Sequence, residues 1–292
     1  HDRPPVPHLD LPLSLGWTVE ALPLFLRATV VVLLARSGVV ALGSYADAET
    51  VGYFAAAERL IAAADLPLIM FTTAVFPILS RLADRPAEFG PFLRYAVRLG
   101  VAGAIVIAVA LWLLREPVIA LLYGDGFERS ATILGILAAG VPFTAANTMM
   151  SMALIARQRL WWLFFSECLS LVLLYAVLVL TIDDLGGAGL ALAILAAKLL
   201  RVLALAAGLG RSDTELGLWP VLLRAGSAAA AVAAALWLTS GWPAPVHAGS
   251  AAVVTLVVLA ATGVARRDDV ERLRRKMTGR PANAGAQGPL DP

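Results

Sequence analysis

The chain has 292 residues, of which 60% are hydrophobic and 15% charged, and its formal net charge is +2. Soluble domains are about 45–50% apolar and about 25% charged, so a water-soluble globule is excluded. A charge balance so close to neutral also gives no reason to expect a nucleic-acid partner. The single cysteine, Cys168, lies within an apolar run, which rules out a disulfide framework or a cysteine metal cluster.

Several apolar segments reach the roughly 20 residues that a helix needs to cross a hydrocarbon core. The fold class expected is therefore all-α, a polytopic membrane helix bundle. Eight spans are predicted, at 22–43, 52–80, 97–115, 131–155, 160–181, 187–208, 220–240 and 247–265. Runs such as "VAGAIVIAVALWLL" lack the alternation of a β-barrel strand. The first 15 residues read as a linker, 16–210 as a six-helix lobe, 211–266 as two further spans and 267–292 as a basic, partly disordered tail. Because it begins at His1, the chain reads as a fragment or a processed product.

The first turn, after the span 22–43, carries Asp47 and Glu49, whereas the segment 81–98 carries Arg81, Arg85, Arg94 and Arg98. The alternation continues with Arg157 and Arg159, then Asp183 and Asp184, then Arg211 and Arg224. By the positive-inside rule the arginine-bearing segments are cytoplasmic, which puts both ends of the chain on that side.

Charges inside the spans form two groups. Arg36 in the first span and Glu58 in the second stand at matching depths, and Asp65 follows Glu58 by about two helical turns on the same face, which Thr72 continues. In the second group, Glu167 in the fifth span lies at the depth of Lys198 and Arg201 in the sixth. Charges at such depth are costly and normally face a protein interior or a wet cavity. Two roles remain open for both groups: pairs that fix helix register, or a cavity in which Arg36, Lys198 and Arg201 bind an anionic head group while Glu58, Asp65 and Glu167 pair with them or couple an ion. Arg27, near the cytoplasmic end, is expected to snorkel away from this site. Pro67, Pro77 and Pro142 predict kinks, and Asn147 is placed to bond backbone freed by Pro142.

No Walker A loop, nucleophile elbow or metal-ligand spacing occurs, so neither enzymatic chemistry nor a cofactor or metal is expected.

The stretches "VGYFAAAERL" at 51–60 and "AVFPILSRL" at 74–82 resemble polysaccharide-biosynthesis flippases, the oligosaccharide branch of the superfamily that includes multidrug and toxin extruders. So do "LARSGVVALGSYADAETVG" at 34–52, the region 118–159, and "LGGAGLALAILAAKLLRVLAL" at 185–205. The resemblance implies the C-terminal lobe and trailing helices of a fourteen-helix exporter in the bacterial inner membrane, without its N-terminal lobe. The implied substrate is an undecaprenyl-pyrophosphate-linked oligosaccharide moved to the outer leaflet, with a glycan polymerase or assembly proteins as partners. Family members often carry an acidic residue two positions after the arginine matched by Arg36, where this chain has Gly38. A lipid II flippase, a small-molecule antiporter of the same superfamily and a half-transporter scaffold are the alternatives.

Overall fold

The computed structural model describes residues 11–210 as seven helices, with no strand among them. These are α1 (Leu11–Tyr45), α2 (Ala48–Leu82), α3 (Pro86–Tyr123), α4 (Glu128–Ala138), α5 (Val141–Ala156), α6 (Leu160–Leu185) and α7 (Gly187–Gly210). The expected spans at 220–240 and 247–265 and the basic tail lie outside the described residues.

Five of the seven helices are individually long and apolar enough to cross a membrane, and α4 with α5 meets the same measure only as a pair, bent by 41° at their junction. The protein is thus a multi-pass membrane helix bundle. The span expected as continuous over 131–155 is therefore broken, and the break falls at Ala139 and Gly140. Pro142 does not itself kink the helix. It occupies the first turn of α5, where a missing backbone donor costs nothing. Pro67 and Pro77 likewise lie inside α2 without ending it. The segment 81–98, expected as a loop, is helical from Pro86 onward, so Arg94 and Arg98 belong to α3.

Short turns force neighbouring helices to run in opposite directions. At one end, Asp47 caps α2, its carboxylate accepting from the Thr50 backbone N–H at 3.2 Å. Those Thr50 hydrogen bonds hold the Asp47 carboxyl below its usual range. The α6–α7 turn comes to the same place, because a side chain at Gly186 would lie 3.4 Å from Thr50 Cγ2. Gly186 reverses the chain with φ of 51°, a conformation that strains any residue with a Cβ. At the opposite end, Arg159 in the α5–α6 turn donates to the Gly208 carbonyl at 2.8 Å. Beside it the Arg157 guanidinium stacks 4.3 Å from the Phe89 ring centroid at the start of α3. The two arginine-bearing turns thus share one end, and the carboxylate-bearing turns the other.

The core is built from small residues between a few large ones. Ala57, Ala104, Ala138, Ala153, Ala191 and Ala193 are buried, and Phe54, Phe89, Met149 and Met150 fill the space between them. Without water to drive helices together, close approach at small residues is what holds a membrane bundle. The tightest example joins α6 to α7. Trp162 donates from Nε1 to the Ala204 carbonyl at 2.8 Å, and its indole occupies the space that a Cβ on Gly208 would need.

Gly208→Ala should therefore force the indole out of its seat and destabilise the protein by about 1–3 kcal/mol, the usual cost of overpacking. Gly52, with nothing within 4 Å of its missing Cβ, provides the control: Gly52→Ala should leave stability unchanged or raise it slightly. Thermal unfolding in detergent would check both, and equal melting temperatures for the two variants would contradict the packing argument.

Candidate functional site

A cavity of about 270 Å³ opens among α1, α2, α4, α5, α6 and α7. Glu58 and Asp65 from α2, Lys198 and Arg201 from α7, and Asn147, Thr144 and Thr148 from α5 line it. Glu58 and Asp65 are seven residues apart, so one face of α2 carries both into the wall. Lys198 and Arg201, three apart, do the same from α7. Thr72, which continues this face of α2, is buried outside the lining, its hydroxyl donating to the Leu68 carbonyl at 2.8 Å.

The best-held charge is Glu167. Its side chain is 1% exposed, Arg201 binds it directly, and Arg27 Nε lies 3.7 Å from the same oxygen. Arg201 also donates to Ser151 Oγ at 3.1 Å. One carboxylate therefore joins α6 to both α7 and α1, while Ser151 ties α5 into the same cluster. Glu167 lies behind the cavity wall and Arg201 within it.

Arg27 was expected to snorkel clear of the site, and here the sequence reading fails. A signal was present: Arg27 and Glu167 each precede the end of their helix, Tyr45 and Leu185, by about five turns. Helices ending on the same side of the bundle place such residues at one depth. A partner was available, so the guanidinium turned inward.

Lys198 was expected near Glu167, but it faces Asp65 instead, and the two attract electrostatically. Neither forms an ion pair among the described residues. Lys198 rests at the break of the bent span, its Nζ 3.5 Å from the position a Cβ on Gly140 would take. Asn147 braces it from below: the amide Nδ2 donates to the Lys198 backbone carbonyl at 3.0 Å. Asn147 therefore bonds across to α7 and not, as its position after Pro142 leads one to expect, to backbone freed by that proline. The carbonyl of Gly140 is taken by Thr144, whose Oγ1 donates to it at 3.2 Å.

Arg36 is exposed on α1 beside the cavity, next to the lining residues Leu34 and Ala35. It attracts Glu58 electrostatically, but the expected ion pair does not form among the described residues. Gly38, where the expected flippase pattern has an acid, is buried, and a Cβ there would lie 2.9 Å from Leu190 Cδ1. A carboxylate at this position would require Leu190 to move.

Across the site, Arg27, Arg36, Lys198 and Arg201 stand against Glu58, Asp65 and Glu167. Two acceptors are buried without a partner in the lining, Asp65 Oδ1 and Asn147 Oδ1. The arrangement suits a ligand that brings its own negative charge to Lys198 and Arg36, the two cations held only at a distance.

A comparison with curated proteins found no match. The sequence model of the family described as lipid II flippase MurJ matches residues 20–256, which includes every cavity-lining residue. The resemblance to polysaccharide-biosynthesis flippases therefore holds at the level of lipid-linked flippases of one exporter superfamily, and the branch it pointed to gives way to its lipid II alternative. With most of its length matched by that model, the chain belongs to the lipid II flippase MurJ family.

Proposed function

We propose that the protein moves lipid II across the bacterial inner membrane, with the arginine-bearing turns in the cytoplasm, and that the cavity between α2 and α7 engages the pyrophosphate of the head group. The observation that carries the reading is the state of Lys198. An ammonium placed within a lipid-spanning bundle normally has a close counter-ion, yet Lys198 lines an open cavity and meets Asp65 only across space. A pyrophosphate would supply the missing contact through charge-assisted hydrogen bonds.

The division of labour follows from how tightly each cation is held. Arg201 is committed to Glu167 and Ser151, so it positions the wall and contributes field. Lys198 and Arg36 remain available for the phosphate oxygens. Asp65 and Glu58 balance those cations while the cavity is empty, which limits the cost of keeping them there. When an anion arrives, the carboxylates become competitors for the same cations, and that competition favours release after the head group has crossed. A site with cations alone would bind the pyrophosphate more tightly and let it go more slowly.

Transport is measured with fluorescent lipid II in vesicles carrying the protein. Lys198→Ala should reduce translocation at least about tenfold, the loss of one strong charged contact, with the purified protein still eluting as a single species. Wild-type rates in this variant would contradict the assignment. A second substrate arm, using another undecaprenyl-pyrophosphate-linked oligosaccharide, tests head-group identity: movement of that lipid in preference to lipid II would return the protein to the polysaccharide branch.

Asp65→Asn should act in the opposite sense on binding, giving a lower apparent KM for lipid II together with a lower maximal rate. Arg201→Ala should lose stability as well as transport, by about 3–5 kcal/mol, because it leaves a buried carboxylate with only the longer Arg27 contact. Adding Glu167→Gln to that variant should recover part of the melting temperature. Failure of the second substitution to do so would show that Arg201 contributes packing and not charge.

A further inference from the structure

The lining of the central cavity divides its hydrogen-bonding groups between helices. Lys198 and Arg201 put donors on the α7 side, and Glu58 and Asp65 put acceptors on the α2 side. The α5 side carries Thr144, Asn147 and Thr148, which by residue type could either donate or accept. Their bonds decide it. Thr144 Oγ1 donates to the Gly140 carbonyl at 3.2 Å, and Thr148 Oγ1 donates to the Thr144 carbonyl at 2.7 Å. A hydroxyl has one proton to give, and both threonines have committed theirs to the backbone of their own helix. What each keeps for the cavity is a lone pair. Ser170, the remaining hydroxyl of the lining, is committed in the same way to the Ser166 carbonyl at 2.8 Å.

Asn147 extends this wall. Its side chain is buried, its Nδ2 donates to the Lys198 carbonyl, and its Oδ1 has no partner. An unpaired buried acceptor carries the full cost of its desolvation, which a ligand N–H or O–H arriving there recovers. Thr144 and Thr148, four residues apart, share one face of α5 and are only half-buried. The wall is therefore a strip of acceptors about one helical turn long. It begins beside the ammonium, because Gly140, whose carbonyl Thr144 holds, is also the residue against which Lys198 Nζ rests.

The parts of a lipid-linked pyrophosphate sort themselves against such a lining. Phosphate oxygens only accept, so the acceptors on α2 and α5 turn them toward α7. A polyprenyl chain neither donates nor accepts. The part that suits an acceptor strip next to the phosphates is the first sugar. In lipid II the C3 and C4 oxygens of that ring are closed in ether and glycosidic links, which leaves the C2 acetamido N–H as the donor nearest the pyrophosphate. The cavity, at about 270 Å³, falls below the roughly 300–1,000 Å³ of a drug-sized site, so only the part of the head group next to the phosphates enters.

We propose that the α5 wall is the sugar subsite of this cavity, where Thr144 Oγ1, Thr148 Oγ1 and Asn147 Oδ1 accept from the first sugar of the substrate, its C2 acetamido N–H first. This rests on the reading of the cavity as a lipid II head-group site. Lys198 holds any polyprenyl pyrophosphate, and the strip on α5 distinguishes one that carries an amino sugar from one that carries none. A second cavity, a groove of about 660 Å³ at the end of α3, is lined by Arg115 with Glu116, Asp125 and Glu128. Its carboxylates outnumber its one cation, so it offers the phosphates no comparable seat.

The test compares the affinities of the full chain in detergent for lipid II and for undecaprenyl pyrophosphate, which has no sugar. Lipid II should bind about tenfold more tightly. Thr144→Val combined with Thr148→Val removes both hydroxyls at nearly constant volume and should bring the ratio to within about twofold, with the affinity for undecaprenyl pyrophosphate unchanged. Serine at both positions should keep the ratio of the unaltered protein. A lipid II analogue methylated at the C2 acetamido nitrogen should lose the same advantage without any substitution in the protein. Lys198→Ala should weaken both lipids by one factor, and if it weakens neither, the head-group reading itself is overturned. With that effect in place, an unchanged ratio in the valine variant overturns the sugar subsite alone. Full-strength binding of the methylated analogue, or equal binding of the two lipids by the unaltered protein, does the same.

Discussion

A carboxylate sealed among helices in a lipid-spanning bundle cannot stay charged alone, and Glu167 is the point from which the organisation of this one follows. The desolvation cost of such a group is several kcal/mol. Arg201 and Arg27 meet that cost from two different helices, and Ser151 supplies a hydroxyl to Arg201 from a third. The cluster therefore does more than pair two charges: it sets the depth of α1 and α7 relative to α6 and orients the wall of the cavity. Replacement by apolar residues of similar volume could stabilise the bundle. What it would lose is the fixed register that keeps the α7 face carrying Lys198 and Arg201 toward the cavity.

The break between α4 and α5 is the second determinant, because the Lys198 side chain rests against it: a Cβ on Gly140 would lie 3.4 Å from Lys198 Cδ and 3.5 Å from Nζ. Non-helical backbone at membrane depth is tolerated where protein or a wet cavity covers it. Here Thr144 takes the Gly140 carbonyl, the Gly140 N–H bonds the Leu137 carbonyl at 2.9 Å, and Asn147 reaches across to α7. The polar groups freed by the bend are thereby used to support the cation beside it. A lysine and a helix break together at one depth are the same economy of polar groups viewed from two helices.

Much of this was legible in the sequence, for identifiable reasons. Apolar runs of span length located the helices, since the bilayer imposes that length directly. Spacings of seven and three placed Glu58 with Asp65 and Lys198 with Arg201, since positions on one helix are fixed by its own period. Pairing between helices was less legible, since it depends on rotation and tilt that no single helix encodes. Glu167 went to Arg201 and Arg27, Lys198 was left facing Asp65, and Arg36 remained apart from Glu58. Proline misled for a related reason: Pro142 is read as a kink, whereas the bend sits two residues earlier, where Gly140 allows a close approach that no residue with a bulky side chain permits. Diffuse sequence patterns pointed to lipid-linked flippases, and the family match favours the lipid II alternative over the polysaccharide branch; the patterns do not separate the two, because both branches need the same apolar spans and intramembrane cations.

The two cavities have opposite charge logic, and the difference bears on how a lipid carrying a large polar head would interact with each. In the central one, Lys198 and Arg36 face carboxylates of α2 only across a distance while Arg201 is bound by Glu167, so the field there is nearly balanced and an incoming anion tips it. In the groove at the end of α3, carboxylates outnumber the single arginine, so an isolated anion is repelled unless it brings a cation with it. A pyrophosphate-linked substrate that has left Lys198 would thus find no second anion trap at that end of the bundle.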